Sequence, residues 1–505
     1  MVHASSPSRK EGIAAVPPGM AHRSFKSDAE FLAYISMGAV GVRQTVKDLR
    51  AQGHDPLVLE RGSDDFKLWK STRIKGWRVP DVLCVNDAKR VEVRAKSQFR
   101  ISGSHSVGRA ERHWSFGLSD SDYMAFPVCR LRGPRPIDWE ASDLIQYVRV
   151  GDMKAAFDAK QTITTEPKAA SQGAEVQVVW PTAVAAEPGL VVEVSDRRVA
   201  YVPSGGTRRA FCQLHRRKNV RLLPQVRQGQ TVEADRVLAS VVPVTRAVPL
   251  GPAVGVDHYV AELSSANERV RFAAAKALSG FPSETADPAL LARVADTADH
   301  IFVRLEAAAS LVRHGRSEGW EFLARKLKDQ FAENRLEACI VLAEIDADEA
   351  RALLMRKLAE QDECVDVRAG AAWALGEHRH VTAMRSLAAA FASAPEQIRV
   401  EAARALTKLA RAHRSGVLDL FVSVADEARP AVAFALRTGA AATVDDLARA
   451  MKSDDMRQWI AYVIGTGQSV DEIEKLKSLD GQVYFAATLL WKMLTSGIYD
   501  LEEYG

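Results

Sequence analysis

From about residue 260 onward, apolar positions recur at helical spacing, and the recurrence itself repeats. Each unit is marked by an apolar residue, an arginine and an alanine-rich amphipathic run: VRFAAAKALSGF, VRLEAAASLVRHG, NRLEACIVLAEI, VRAGAAWALGEH and IRVEAARALTKLA. The marker arginines are Arg271, Arg304, Arg335, Arg368 and Arg399, a repeat of 31 or 33 residues. The register continues through Arg429 and Arg457 and reaches Tyr484, where the arginine is missing, which makes about eight units. Each unit has room for two helices of about three turns joined by short turns. One such pair cannot bury its apolar stripe alone, whereas stacked pairs can, so residues 256–505 are predicted to form an α-solenoid. The marker arginines are expected to be structural, pairing with acids of a neighbouring repeat.

The pattern changes in the first half. Residues 186–250 are valine-rich, with turn residues every eight to ten positions, including Gly189, Asp196, Ser204-Gly205-Gly206 and Gly229, and this predicts a small all-β barrel or sandwich. In residues 27–135 an amphipathic stretch over 27–53 predicts a helix, capped by Ser27 or Asp28 and stopped by Gly53. HDPLVLERGS, RVPDVLCVND, KRVEVRAKS and DYMAFPVCR follow as four predicted strands, so this part reads as an α/β domain. Residues 97–121 are expected to be a Ser/Gly/Arg-rich loop, 136–185 a partly ordered connector and 1–26 a flexible tail.

With 47% apolar, 26% charged and 7% aromatic residues among 505, the composition suits a soluble multidomain protein and excludes collagen-like or wholly disordered chains. No apolar run reaches membrane-spanning length and the first residues lack the core of a secretion signal, so no membrane partner and a cytoplasmic location are expected. The cysteines Cys84, Cys129, Cys212, Cys339 and Cys364 lie far apart in sequence, which argues against disulfides and zinc fingers. Net charge is uneven. Residues 1–135 hold 23 Lys or Arg against 14 Asp or Glu, and residues 186–250 hold 11 against 5, so the acidic excess falls elsewhere, the solenoid included. A basic first half points to a polyanion.

Three resemblances rest on these residues. The marker lines, VRAGAAWALGEH at 367–378 above all, resemble the short HEAT-like repeats of phycobilisome lyases, which implies a curved protein-binding array. VVEVSDRRVAYV, RRKN at 216–219 and VRQGQTVEADRVLA resemble a barrel-sandwich hybrid segment of the bacterial RNA polymerase β subunit. Strand alternation in KRVEVRAKS places Glu92, Arg94 and Lys96 on one face and Val91, Val93 and Ala95 on the other. The ten residues between Asp81 and Glu92 suit a tight hairpin that brings both carboxylates to one end of a sheet. With Pro80-Asp81 on one strand and Glu92 on the next, the domain resembles the PD-(D/E)xK nuclease superfamily. It departs at the position two after Glu92, which is Arg94, so that Lys96 stands in for the lysine.

The nuclease resemblance implies Asp81 and Glu92 as ligands of Mg2+ or Mn2+, Glu60 as an additional metal-binding acid, Lys96 orienting water and Arg94 stabilising phosphate. Arg73, Lys75, Arg78, Arg100, His105 and Arg109, with Arg216, Arg217, Lys218 and Arg221 of the β segment, are the nucleic-acid-binding residues expected, although the last four equally suit a solvated loop. The expectation is a Mg2+-dependent DNA nuclease, with RNA not excluded, carrying a HEAT-type arm for a protein partner. Two alternatives stand beside it. One is a catalytically inactive scaffold that binds nucleic acid and a protein in an antiviral or DNA-processing complex. The other is a glycosylase like the HEAT-like bacterial alkylpurine DNA glycosylases. Oligomeric state is not legible.

Overall fold

The computed structural model describes residues 28–59, 79–106, 113–133, 138–165, 175–217, 220–440, 442–448, 450, 454–467 and 469–495. Its contacts divide the chain into two compact units, one comprising residues 1–52 and 90–249 and the other residues 53–89 and 250–505.

In the second unit each marker line is a helix: Glu268–Ala277, Ile301–Arg313, Ala332–Leu342, Val365–His378, Glu396–Ala412, Arg429–Ala435, Asp454–Thr466 and Gly481–Thr495. Successive marker helices pack on one another, and helices such as Ser283–Ala295, Asp348–Ala359 and Met384–Ser393 lie between them in sequence. This is the helical solenoid expected. Its core is continuous, and alanines at 274, 275, 307–309, 371, 372 and 374 are fully buried in it, so the small side chains let neighbouring helices approach. Gly376 shows how close that approach is, since a Cβ there would stand 2.8 Å from the Cβ of Ala405. The strands Pro56–Val58 and Val82–Cys84, an antiparallel pair, belong to this unit as well. Leu59 and Leu83 join the helical core.

The marker arginines are tied into the array in three ways. Arg271 grips Asp299 of the next repeat at 2.6 Å, Arg335 grips Glu363 at 2.6 Å, and Arg457 reaches Asp480 at 3.0 Å. Arg304, Arg368 and Arg429 donate to the carbonyls of Val294, Leu358 and Phe421, near the end of the preceding helix, and Arg429 also pairs with Asp426. These are the carbonyls a helix C-terminus leaves without intrahelical partners. Arg399 lies over the Phe391 ring at 4.8 Å.

The first unit begins with the helix Asp28–Ala51, and the chain leaves it through Gly53 in a left-handed conformation (φ 91°), as the sequence predicts. The strand Lys89–Val93 runs parallel to Tyr123–Ala125, which pairs antiparallel with Tyr147–Arg149. Two expectations are corrected. Residues 97–121 are not wholly a loop, because Ser102–Ser106 forms a strand pairing with Glu175–Val179, which in turn pairs with Ile163–Thr165. The stretch expected as a connector carries the helix Val150–Asp158 and buries Tyr147 and Trp180, with Trp180 edge-on to Trp114 at 4.7 Å. Tyr147 and Trp180 are core residues. Residues 182–240 are all-β where described, with a four-stranded sheet ordered Ala210–Gln213, Arg198–Pro203, Gly189–Val194 and Thr231–Val232, and smaller sheets beside it.

Candidate functional site: a cationic cleft in the first unit

The strand Lys89–Val93 is half-buried, and its parallel register sets Glu92 opposite Met124. The strand is shorter than the pattern predicts, but the chain keeps its course: Arg94 N–H donates to Ala125 O at 2.8 Å and Lys96 N–H to Pro127 O at 3.0 Å. Alternate amides therefore face the same neighbour, and the side chains of Glu92, Arg94 and Lys96 share one side. The face is not a solvated one. Glu92 is only 5% exposed, and Arg94 Nη2 sits 2.8 Å from its carboxylate, so the acid has a cation already beside it.

Lys96 sits at the mouth of a cleft of about 830 Å3 whose walls include Ser97, Arg100, Ser102, Gln177 and Thr182. Burial, with Arg100 nearby, lowers the Lys96 ammonium below its usual range. The paired strands supply the floor, with Ser102 opposite Val179 and Ser104 opposite Gln177. Ser102 is 2% exposed and its hydroxyl has no hydrogen-bond partner among the described residues. An orphaned buried hydroxyl costs about 1–3 kcal/mol, so Ser102 brings an unmet hydrogen-bonding group to the wall of the cleft, with the oxygen itself covered. The chemistry suits an oxyanion: two positive groups, hydroxyls and two amides, with no carboxylate among the lining residues.

The other predicted residues lie on several elements. Asp81 is buried, precedes the strand Val82–Cys84, receives Leu59 N–H on its carbonyl at 2.8 Å and belongs to the second unit. Arg100 and Arg221 are exposed. His105 lies on Ser102–Ser106, opposite Val176. Arg216 and Arg217 lie on a short strand, His215–Arg217, that pairs with Val220–Arg221. Glu60, Arg73, Lys75, Arg78, Arg109 and Lys218 fall outside the described residues. Where three potential metal-ligand atoms converge among the described residues, they come from His54, Cys84 and Asp87, not from Asp81 or Glu92. Sequence reasoning missed this trio and also Ser102, Gln177 and Thr182, because each grouping joins chain segments tens of residues apart and no local spacing announces it.

Comparison with known proteins bears on the helical part. A family model for HEAT repeats matches residues 320–407. Among solved structures, the complex of CpcE and CpcF of phycocyanin lyase from Nostoc sp. PCC7120 is 18% identical, covering 48% of this chain and 96% of that one, with a TM-score of 0.24. Two engineered proteins, 21% and 16% identical, each cover 48% of this chain and 97% and 98% of their own, with TM-scores of 0.19 and 0.21. No protein of curated function matches. The chain thus carries HEAT repeats within a longer helical array, and no helix among the described residues is long and apolar enough to cross a membrane.

Proposed function

We propose that this protein is a non-cutting scaffold that holds the phosphate backbone of a nucleic acid in the Lys96–Arg100 cleft and docks a protein partner on its HEAT-type array. The observation that carries the first half is a cleft lined by two cationic side chains and no carboxylate, with the buried, unpartnered Ser102 hydroxyl in its wall. The Glu92–Arg94 pair favours binding over hydrolysis. A metal-binding acid must present free charge, and Arg94 offsets that of Glu92. The basic excess of residues 1–135 supports the same reading by drawing polyanions to this half of the chain. Stacked repeats present an extended surface, which supports the protein-binding half.

The test is fluorescence anisotropy with labelled duplex DNA, single-stranded DNA and RNA over a series of salt concentrations. Binding should weaken steeply with salt, and Lys96→Met and Arg100→Met should each reduce the log–log salt slope by about 1. Ser102→Ala should weaken binding without changing the slope. Unchanged slopes in both charge variants would remove the cleft from the interface. Cleavage that requires Mg2+ or Mn2+ and disappears in Asp81→Ala and Glu92→Ala would establish the nuclease instead. Release of free bases would establish a glycosylase.

A further inference from the structure

His54, Cys84 and Asp87 lie together in the second unit although 33 residues separate the first from the last. The fold brings them there by pairing Pro56–Val58 with Val82–Cys84. Pro56 is opposite Cys84, so His54, two residues before Pro56, comes beside the turn that follows Cys84. Asn86 fixes this arrangement by accepting Asp55 N–H at 2.9 Å and donating to Gly53 O at 3.1 Å. Asp87 is held by Gly251 N–H at 3.0 Å and Lys89 N–H at 3.3 Å. One donor atom from each of the three residues lies within 4.8 Å of the others, and all three residues are buried.

We propose that His54, Cys84 and Asp87 form a binding site for a divalent transition-metal ion of the zinc type. The donor set is one nitrogen, one sulfur and one oxygen. Thiolate and imidazole favour zinc, cobalt or a neighbouring metal over Mg2+ or Ca2+, which take oxygen ligands. Tetrahedral bonds of about 2.0–2.3 Å place neighbouring ligand atoms roughly 3.5 Å apart. His54 Nδ1 and Asp87 Oδ2 are already 3.2 Å apart, so closing the set requires a contraction of about 1 Å, within reach of side-chain rotation. Asp87 has outer support as well, since the amides of Gly251 and Lys89 orient its carboxylate as the second shell of a metal ligand does. A cavity lies next to the site in the chain. Asp55, Val85 and Asn86, each a chain neighbour of one of the three, line a cavity of about 370 Å3. Binding exchanges the Cys84 S–H bond for an S–metal bond, and the proton leaves to solvent. Three protein donors leave a fourth position for water or another ligand.

The experiment uses the full-length, untagged protein. Elemental analysis after purification, or titration of chelator-treated protein with Zn2+, should give one equivalent, with release of one proton per ion. Co2+ should bind in the same ratio and produce near-ultraviolet thiolate charge-transfer absorption. Cys84→Ser should abolish that absorption, and His54→Ala and Asp87→Asn should each weaken binding at least about tenfold. Cys339→Ser, which alters a buried thiol of the helix Ala332–Leu342, should leave the spectrum intact. Circular dichroism verifies that each variant folds. The proposal fails if the wild-type chain takes up neither Zn2+ nor Co2+, or if the cobalt spectrum of Cys84→Ser matches that of the wild type. The wild-type measurement decides even where a variant does not fold.

Discussion

The guanidinium of Arg335 donates to both oxygens of Glu363 and to Asp329 O, while Lys357 approaches the same carboxylate at 3.0 Å. Burial alone would raise Glu363, but these cations and the Cys364 N–H outweigh it and hold the carboxyl below its ordinary 4.5. Asp299 is held below its ordinary 3.8 in the same way, burial opposing and Arg271, His300 N–H and Arg293 prevailing. A carboxyl depressed by folding contributes stability at pH values above its unfolded value, and that contribution is lost as pH falls through the folded value. The array should therefore lose stability below about pH 4.5. Glu363→Gln should cost about 3 kcal/mol at pH 7, because it leaves Arg335 and Lys357 without their shared anion, and should flatten the acid limb of the stability curve. Denaturant melts from pH 7 to pH 2.5 measure both, and an acid limb identical in the variant would show that Glu363 does not control it. The sequence pointed to a structural role for the marker arginines. It did not foretell that Arg304 and Arg368 bind helix-ending carbonyls while Arg271 and Arg335 bind an acid as well as a carbonyl, because partner choice depends on where the preceding helix stops.

Among the elements, the marker helices owe their close stacking to glycine and alanine at the crossings. A Cβ at Gly376 would meet Ala405 Cβ at 2.8 Å and Cα at 2.9 Å, while one at Gly280 would meet nothing within 4 Å. Gly376→Ala should therefore destabilise the array by about 1–3 kcal/mol by forcing Val365–His378 and Glu396–Ala412 apart. Gly280→Ala should stay within about 0.5 kcal/mol. Equal midpoints of unfolding for the two variants would contradict the close-packing argument. These helices were legible because a 3.6-residue period repeated along the chain is redundant information. Ser102–Ser106 was not. It is polar, and what makes it a strand is its ladder with Glu175–Val179, some 70 residues on. Val150–Asp158 was hidden for a related reason, being too short for its period to stand out inside a polar stretch. The candidate site was legible residue by residue, in Lys96 and Arg100, and illegible as a cleft, since Gln177 reaches it through that same long-range pairing and Thr182 lies on a strand that pairs with Val237–Ser240.

At the scale of the whole chain, a solenoid exposes an apolar face at each end unless something covers it. At its first repeat this array receives residues 53–59 and 79–89. Leu59 and Leu83 enter its core, Tyr259 O–H donates to Val85 O at 2.8 Å, and the buried Lys276 donates to Leu59 O at 3.3 Å and Glu344 at 3.0 Å. Sequence could not foretell this, because the capping segment lies some 170 residues before the helices it covers and has no repeat signature. In a one-dimensional array each repeat depends on its neighbours, so losing a cap is felt first at the adjacent repeat and fades with distance. A fragment spanning residues 250–505 should accordingly show faster amide exchange in Val256–Glu262 and Glu268–Ala277 than the full chain shows. Exchange in Val365–His378 and Glu396–Ala412, three and four marker helices away from Glu268–Ala277, should be nearly unchanged. Lys276→Met in the full chain removes the ammonium that donates to the cap's Leu59 carbonyl and leaves the cap's apolar contacts in place. If the hydrophobic part of the cap dominates, the variant keeps the slow exchange of Val256–Glu262 that the fragment loses. Equal exchange at 256–277 in fragment and full chain would mean that the first repeat stands without residues 53–89.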